Sequence, residues 1–179
     1  MRSVVLYTLL SLDGVAEAPD QFVFDWDDRL DANLADVIAE QDAVLLGRQM
    51  YEEWSQYWPT SDVEPFASFI NGVQKYVVTS SEPERDWGPR TLLTGDFQDF
   101  VDELKRTDGG AIGVHGSIRL AQSLLRAGLV DELRLVVAPT TVGSGRRLFA
   151  EDDLRRWELI ASESSPSGEL LLHYGRRTD

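Results

Sequence analysis

The chain has 179 residues, 42% hydrophobic and 27% charged, which suits one soluble domain with a sizeable core. Its formal net charge of −14 argues against nucleic-acid binding, and any anion site has to be built locally from arginines and backbone N–H groups. There is no cysteine, which excludes disulfides and thiolate metal sites, and no apolar run approaches the length needed to span a bilayer.

The first predicted element is a strand, Val4–Leu10, a continuous apolar run of the kind buried on both faces. The turn Ser11-Leu12-Asp13-Gly14 closes it. Leu30, Leu34, Val37 and Ile38 then fall on one face of a helix. Ala43–Gly47 is a second buried strand. Met50, Tyr51, Trp54, Tyr57 and Trp58 follow at helical spacing, and Pro59 ends that helix. A weaker helical pattern, Val63, Phe66, Ile70 and Val73, stops near Asn71-Gly72.

Lys75–Ser81 reads as a strand and Thr91–Leu93 as a short one. Phe97, Phe100, Val101 and Leu104 make a helical stripe, with Thr94 or Asp96 as its N-cap. Ala111–Val114 is a strand that meets a helix through His115-Gly116-Ser117, and that helix stops at Gly128. Leu133–Ala138, Trp157–Ser162 and Leu170–Tyr174 close the chain as strands. The last two form an antiparallel hairpin around Ser165–Gly168, at a sheet edge. Alternating strands and helices followed by bare strands predict a single α/β domain over 1–179. Its mixed sheet is mostly parallel, with an antiparallel C-terminal end.

In such a sheet, ligands bind outside the carboxyl ends of the strands. Four segments follow predicted strands: Asp13-Gly14, Gly47-Arg48, Thr79-Ser80-Ser81 and Gly116-Ser117-Ile118. One arginine, several hydroxyls and close-approach glycines suit a phosphorylated ligand. The helix that opens at Ser117 would present unpaired N–H groups to an anion. Taken singly, each segment reads better as an ordinary turn, cap or solvated arginine. His115 and His173 are too differently placed to form a metal set, and no metal is expected.

The segments "SLDG", "VLLGRQMYEEWSQYWP", "KYVVTSS" and "IGVHGSIRLAQSLLRAGLVDELRLVVAPTTVGSGRRLF" together resemble the dihydrofolate reductase-like superfamily. More closely they resemble stand-alone relatives of the reductase domain of riboflavin biosynthesis. The resemblance runs from about Val4 to Tyr174. It implies a three-layer α/β/α fold with NADPH across the strand ends. It places Gly47 and Arg48 at the cofactor phosphates and Thr79, Ser80 and Ser81 beside the 2′-phosphate. Gly116, Ser117 and Ile118 fall at the pyrophosphate, and Asp13 and Gly14 in the loop over nicotinamide and substrate. Asp13 is then the candidate catalytic residue, as a substrate or proton-handling group.

Met50, Ser117 and His115 depart from the pattern, standing where the relatives carry Thr, a second glycine and an acidic residue. Asp27, Asp28 and Asp31 all lie near the substrate-binding helix. Asp27, Asp31 and Trp54 are the candidate substrate residues. The resemblance also implies a homodimer formed through the terminal strands.

The expected function is a cytoplasmic NADPH-dependent reductase acting on a small heterocyclic or imine-like substrate. A riboflavin-pathway reductase and a pterin or folate reductase are both open. A nucleotide-binding module without turnover, or a structural dimer subunit with a vestigial pocket, is the reading from another class.

Overall fold

The computed structural model describes residues 1–149 and 154–177. Its strands are β1 (Val4–Leu10), β2 (Gln41–Gly47), β3 (Gln74–Val78), β4 (Arg90–Leu93), β5 (Ala111–His115), β6 (Glu132–Val137), β7 (Trp157–Ser164) and β8 (Leu170–Arg176). Its helices are α1 (Asp28–Ala39), α2 (Arg48–Tyr57), α3 (Phe66–Gly72), α4 (Phe97–Lys105) and α5 (Ile118–Arg126). All eight strands join one sheet in the order β4-β3-β2-β5-β1-β6-β8-β7. The first six are parallel; β8 runs antiparallel to β6, and β7 antiparallel to β8.

Side chains alternate across this sheet and build a core on each face. Val4, Leu6, Ala43, Leu45, Ile112 and Val114 pack with α4 and α5. Val5, Tyr7, Val44 and Leu46 pack with α1, α2 and α3. The two helical layers and the sheet between them make the expected three-layer sandwich. Local chemistry sets the helix ends. Asp27 caps α1 by accepting from the N–H groups of Arg29 (2.9 Å) and Leu30 (3.0 Å). Of the two candidate caps for α4, the structure uses Asp96, whose carboxylate accepts from Gln98 N–H at 2.9 Å. At the other end of α5, Gly128 has φ +69°, and its N–H and that of Leu129 return to Leu125 and Leu124 carbonyls. That paired closure needs a left-handed residue, hence glycine.

The strand expected over Lys75–Ser81 ends at Val78. The reason is local competition: the Thr79 hydroxyl donates to Ser81 O at 2.6 Å and accepts from Ser81 N–H at 3.2 Å. Pro59 does not stop helical winding at once but sits inside a 3-10 turn, Trp58–Thr60, that continues α2.

The sheet order positions the site. From β1 the chain crosses in one direction, through α1, to β2; from β5 it crosses in the other, through α5, to β6. Strands β1 and β5 lie side by side, with Tyr7 opposite His115. The two connections leave on opposite faces, and a crevice opens between them at the carboxyl ends.

Candidate functional site

Two adjoining hollows occupy that crevice. The smaller, about 260 Å³, lies where α2 and α5 begin, and is lined by Gly47, Arg48, Gly116, Ser117, Ile118 and Arg119, with Arg146 beside them. Neither helix has a side-chain cap. The Ser117 hydroxyl is used otherwise: it accepts from the N–H of Gly47 at 3.1 Å, and so ties the two helix starts together. The first-turn N–H groups of both helices therefore lack cap partners, and both dipoles point their positive ends at one place. Arg48, Arg119 and Arg146 add three guanidinium groups around it. This arrangement suits a ligand with adjacent phosphates.

Gly116 is glycine for a backbone reason. Its φ is +71°, and a Cβ there would meet Met50 Cε at 3.0 Å and Trp54 Cζ2 at 3.1 Å. Thr79, Ser80 and Ser81 do not line either hollow, but Arg48 Nη1 donates to the Ser81 hydroxyl, which brings that loop to the rim.

The larger hollow, about 840 Å³, continues past Met50 and Gly116 and is walled by Tyr7, Trp26, Trp54, Trp58, Phe66 and His115. Trp54 and Trp58 meet edge to face at 5.8 Å, and Phe66 packs against both. His115 forms the floor. Its Nε2 is 2.8 Å from Gln41 Oε1, room that Gly113 provides by having no Cβ. Burial pushes the His115 pKa down to about 3, so the ring is neutral. Tyr7 is buried at its side with its hydroxyl unpartnered among the described residues. Burial, then the charge of Asp31, raises the Tyr7 pKa, so it too is neutral.

The structure separates the acidic candidates. Asp31, in the first turn of α1, lines the large hollow and accepts from the indole N–H of Trp26 at 2.7 Å. Asp27 lines neither hollow. Besides capping α1, it accepts from the N–H (3.0 Å) and hydroxyl (2.8 Å) of Ser167, which fastens the β7–β8 turn. Burial would raise its pKa, but the bonds from Ser167, Leu30 and Arg29 outweigh this and hold it at about 2. Asp27 is therefore corrected from substrate residue to structural cap.

Asp13 is corrected as well. Its carboxylate accepts from the Ser11 hydroxyl at 2.7 Å and from the N–H groups of Val142 (3.0 Å) and Gly143 (2.8 Å). Those bonds, Ser11 first, hold its pKa well below the usual carboxylate range. A carboxylate so committed fastens the 139–147 loop to the end of β1 and makes a poor proton donor. Gly14, at φ +80°, completes the same turn and faces neither hollow.

Trp54, Gly47, Arg48, Gly116, Ser117 and Ile118 all reach the crevice as the sequence suggested. Tyr7, Trp26, Arg119 and Arg146 were missed. The signal for Tyr7 was its place in β1 on the face that carries α1. Arg146 stood in the quoted "GSGRRLF".

This geometry has counterparts. The sequence profile of the RibD C-terminal domain matches residues 2–171. The uncharacterized protein YyaP of Bacillus subtilis (strain 168) is 26% identical over 97% of this chain and 94% of its own. Among solved structures, a Shewanella sp. PV-4 protein named for riboflavin biosynthesis superposes with a TM-score of 0.79 at 18% identity, over 98% of this chain and 99% of that one. A Thermotoga maritima diaminohydroxyphosphoribosylaminopyrimidine deaminase/5-amino-6-(5-phosphoribosylamino)uracil reductase gives 0.69 at 16% identity, with 98% of this chain covering 57% of that one. Dihydrofolate reductase from Enterococcus faecalis, complexed with NADP(H), gives 0.65 at 15% identity, over 98% and 97%. The fold is therefore dihydrofolate reductase-like. With a profile match that begins at Arg2 and reaches Leu171 in β8, the chain belongs to the RibD C-terminal domain family.

Proposed function

We propose that this protein is an NADPH-dependent reductase acting on a small planar heterocyclic or imine-like substrate. The observation that carries the reading is the convergence of two uncapped helix starts and three arginines on one small hollow, which opens directly into an aromatic cleft. The residues present fit a dinucleotide with an extra phosphate. Backbone N–H groups after Gly47 and Gly116 would meet its pyrophosphate, and Ser117 fixes the spacing between them. Arg48, held against Ser81 beside Thr79 and Ser80, would meet the 2′-phosphate. When bound, NADPH supplies a hydride to an electrophilic carbon.

The rest of the chemistry belongs to the chain. Trp54, Trp58 and Phe66 offer apolar aromatic walls. Asp31 presents a carboxylate to the cleft, and neutral His115 and Tyr7 form its floor. A 5-amino-6-(5-phosphoribosylamino)uracil reductase and a pterin reductase are the two finer readings, drawn from the names of the neighbours. A module that binds NADPH without turnover is favoured by two observations: Asp13 is committed to a loop, and His115 to Gln41.

Loss of NADPH absorbance over a panel of pyrimidine, pterin and cyclic imine substrates tests the proposal. Steady oxidation with at least one class supports it. Binding of NADPH with no oxidation across the panel assigns the module instead.

A further inference from the structure

Another cationic hollow lies at the far end of α5 from the crevice. It encloses about 190 Å³ beside the helix C-terminus, the start of β7 and the end of β8. Leu125, Val130 and Trp157 make the apolar part of its lining. Arg155, Arg156, Arg176 and Arg177 make the rest, with no carboxylate among the lining side chains. Four of the 17 lysines and arginines in a chain of net charge −14 thus surround one small space. Like charges so gathered repel one another until a counter-charge enters.

Part of the cluster has a structural task. The last carbonyls of a helix need partners, and Arg155 Nη2 donates to the Arg126 carbonyl at 2.7 Å while Arg176 Nη1 donates to that of Gly128. These bonds hold two guanidinium planes in place but leave their charge in the hollow. Asp131 lies 3.2 Å from Arg176 Nη2, yet Lys105 already neutralises it at 2.6 Å. Glu158, the next residue of β7 after Trp157, alternates to the other face of the sheet. Arg155 Nε is buried with no partner among the described residues, a state that costs free energy until a ligand atom meets it. Arg156 is exposed beside it. Trp157 pairs directly with Arg176 across the β7–β8 ladder, so an apolar surface and a guanidinium share one wall.

We propose that this hollow is a second anion site, separate from the cofactor crevice, and that it takes a small ring bearing a phosphate. The phosphate, with about two negative charges at neutral pH, accepts from Arg155 Nε and from the forked guanidinium of Arg156. The ring lies on Trp157, Leu125 and Val130. A volume of about 190 Å³ admits one ring and its head group and is too small for a dinucleotide. The nine residues of α5, roughly 13 Å of helix, separate this site from the helix start at Ser117. Its recognition needs neither NADPH nor the reductase reading.

Phenyl phosphate is titrated into the full chain at low salt, without NADPH, and followed by the indole N–H resonance of Trp157, assigned with Trp157→Phe. That resonance reads this hollow, whereas Trp54 belongs to the crevice. Inorganic phosphate, benzoate and phenol are the comparison probes. Phenyl phosphate should shift the Trp157 resonance saturably. It should bind about tenfold tighter than inorganic phosphate, which lacks the ring, and about tenfold tighter than benzoate, which carries less charge. Phenol should not saturate. Arg156→Glu, a change at an exposed side chain, should weaken phenyl phosphate by about tenfold or more with the melting temperature unchanged. Salt should weaken binding to the parent. A Trp157 resonance that does not respond by about 10 mM phenyl phosphate, or a response equal in the parent and in Arg156→Glu, overturns the proposal.

Discussion

His115 shows how one side chain can belong to both fold and site. It ends β5, floors the cleft, and is locked to Gln41 of the neighbouring strand β2. Its pKa of about 3 in the fold lies below the ~6.5 of an unfolded histidine. Above pH ~6.5 both states are neutral and nothing is lost. Below it the unfolded chain takes up a proton that the fold refuses, so stability falls as pH drops toward 3. The depressed Asp27 works in the same direction at lower pH, so the comparison must be between variants. Urea unfolding of His115→Gln between pH 6.5 and 4 should show a pH slope smaller by about one proton, roughly 1.4 kcal/mol per pH unit. Equal slopes would mean that His115 is protonated in the fold. The sequence could not show this, because Gln41 lies 74 residues away. Gly116 was read from the sequence as making room for a phosphate. With φ +71° and Met50 and Trp54 at the place of a Cβ, substitution there tests the turn rather than the ligand.

At the scale of elements, the sequence was most readable where periodicity and burial coincide. β1, β2 and β5 are continuous apolar runs because helices cover both their faces. It was least readable where side chains compete with the backbone, as Thr79 does at the end of β3. It was also silent where an aspartate has several equivalent neighbours. Asp27 and Asp31 are one helical turn apart, yet one caps and the other faces the cleft, and only the meeting with Ser167 decides between them. β7 carries a consequence beyond the single chain. It is the outermost strand, eight residues long, and leaves Leu159 at 52% and Ile160 at 56% exposure. An apolar edge of that length is an aggregation hazard unless something covers it. We propose that a second copy does, giving the homodimer expected from the sequence. Light scattering should give twice the chain mass for the parent and a monomer for Leu159→Lys/Ile160→Glu, with the far-UV spectrum unchanged. A parent that is monomeric at micromolar concentration contradicts this.

The whole molecule divides its charge. A chain of net charge −14 gathers Arg48, Arg119 and Arg146 around two helix starts and leaves carboxylates along the adjoining aromatic walls. The fold that does this was legible in the alternation of strands and helices. The division was not, because the rim comes from the β1–α1 loop, α1, α2, the α2–α3 link, β5–α5 and the 139–149 loop, which only the sheet order brings together. The central claim is that the small hollow holds the phosphates of NADPH. Calorimetric titration of NADPH into the parent and into Arg48→Ala, at low and high salt, tests it most directly. The parent should saturate at one NADPH per chain. Arg48 is 42% exposed and shares its charge with Glu52 at 3.6 Å, so its loss should weaken binding by about tenfold, the low end for a charged hydrogen bond. The difference should shrink as salt rises. No saturable binding up to about 1 mM, or equal affinity of parent and Arg48→Ala at low salt, would contradict the account.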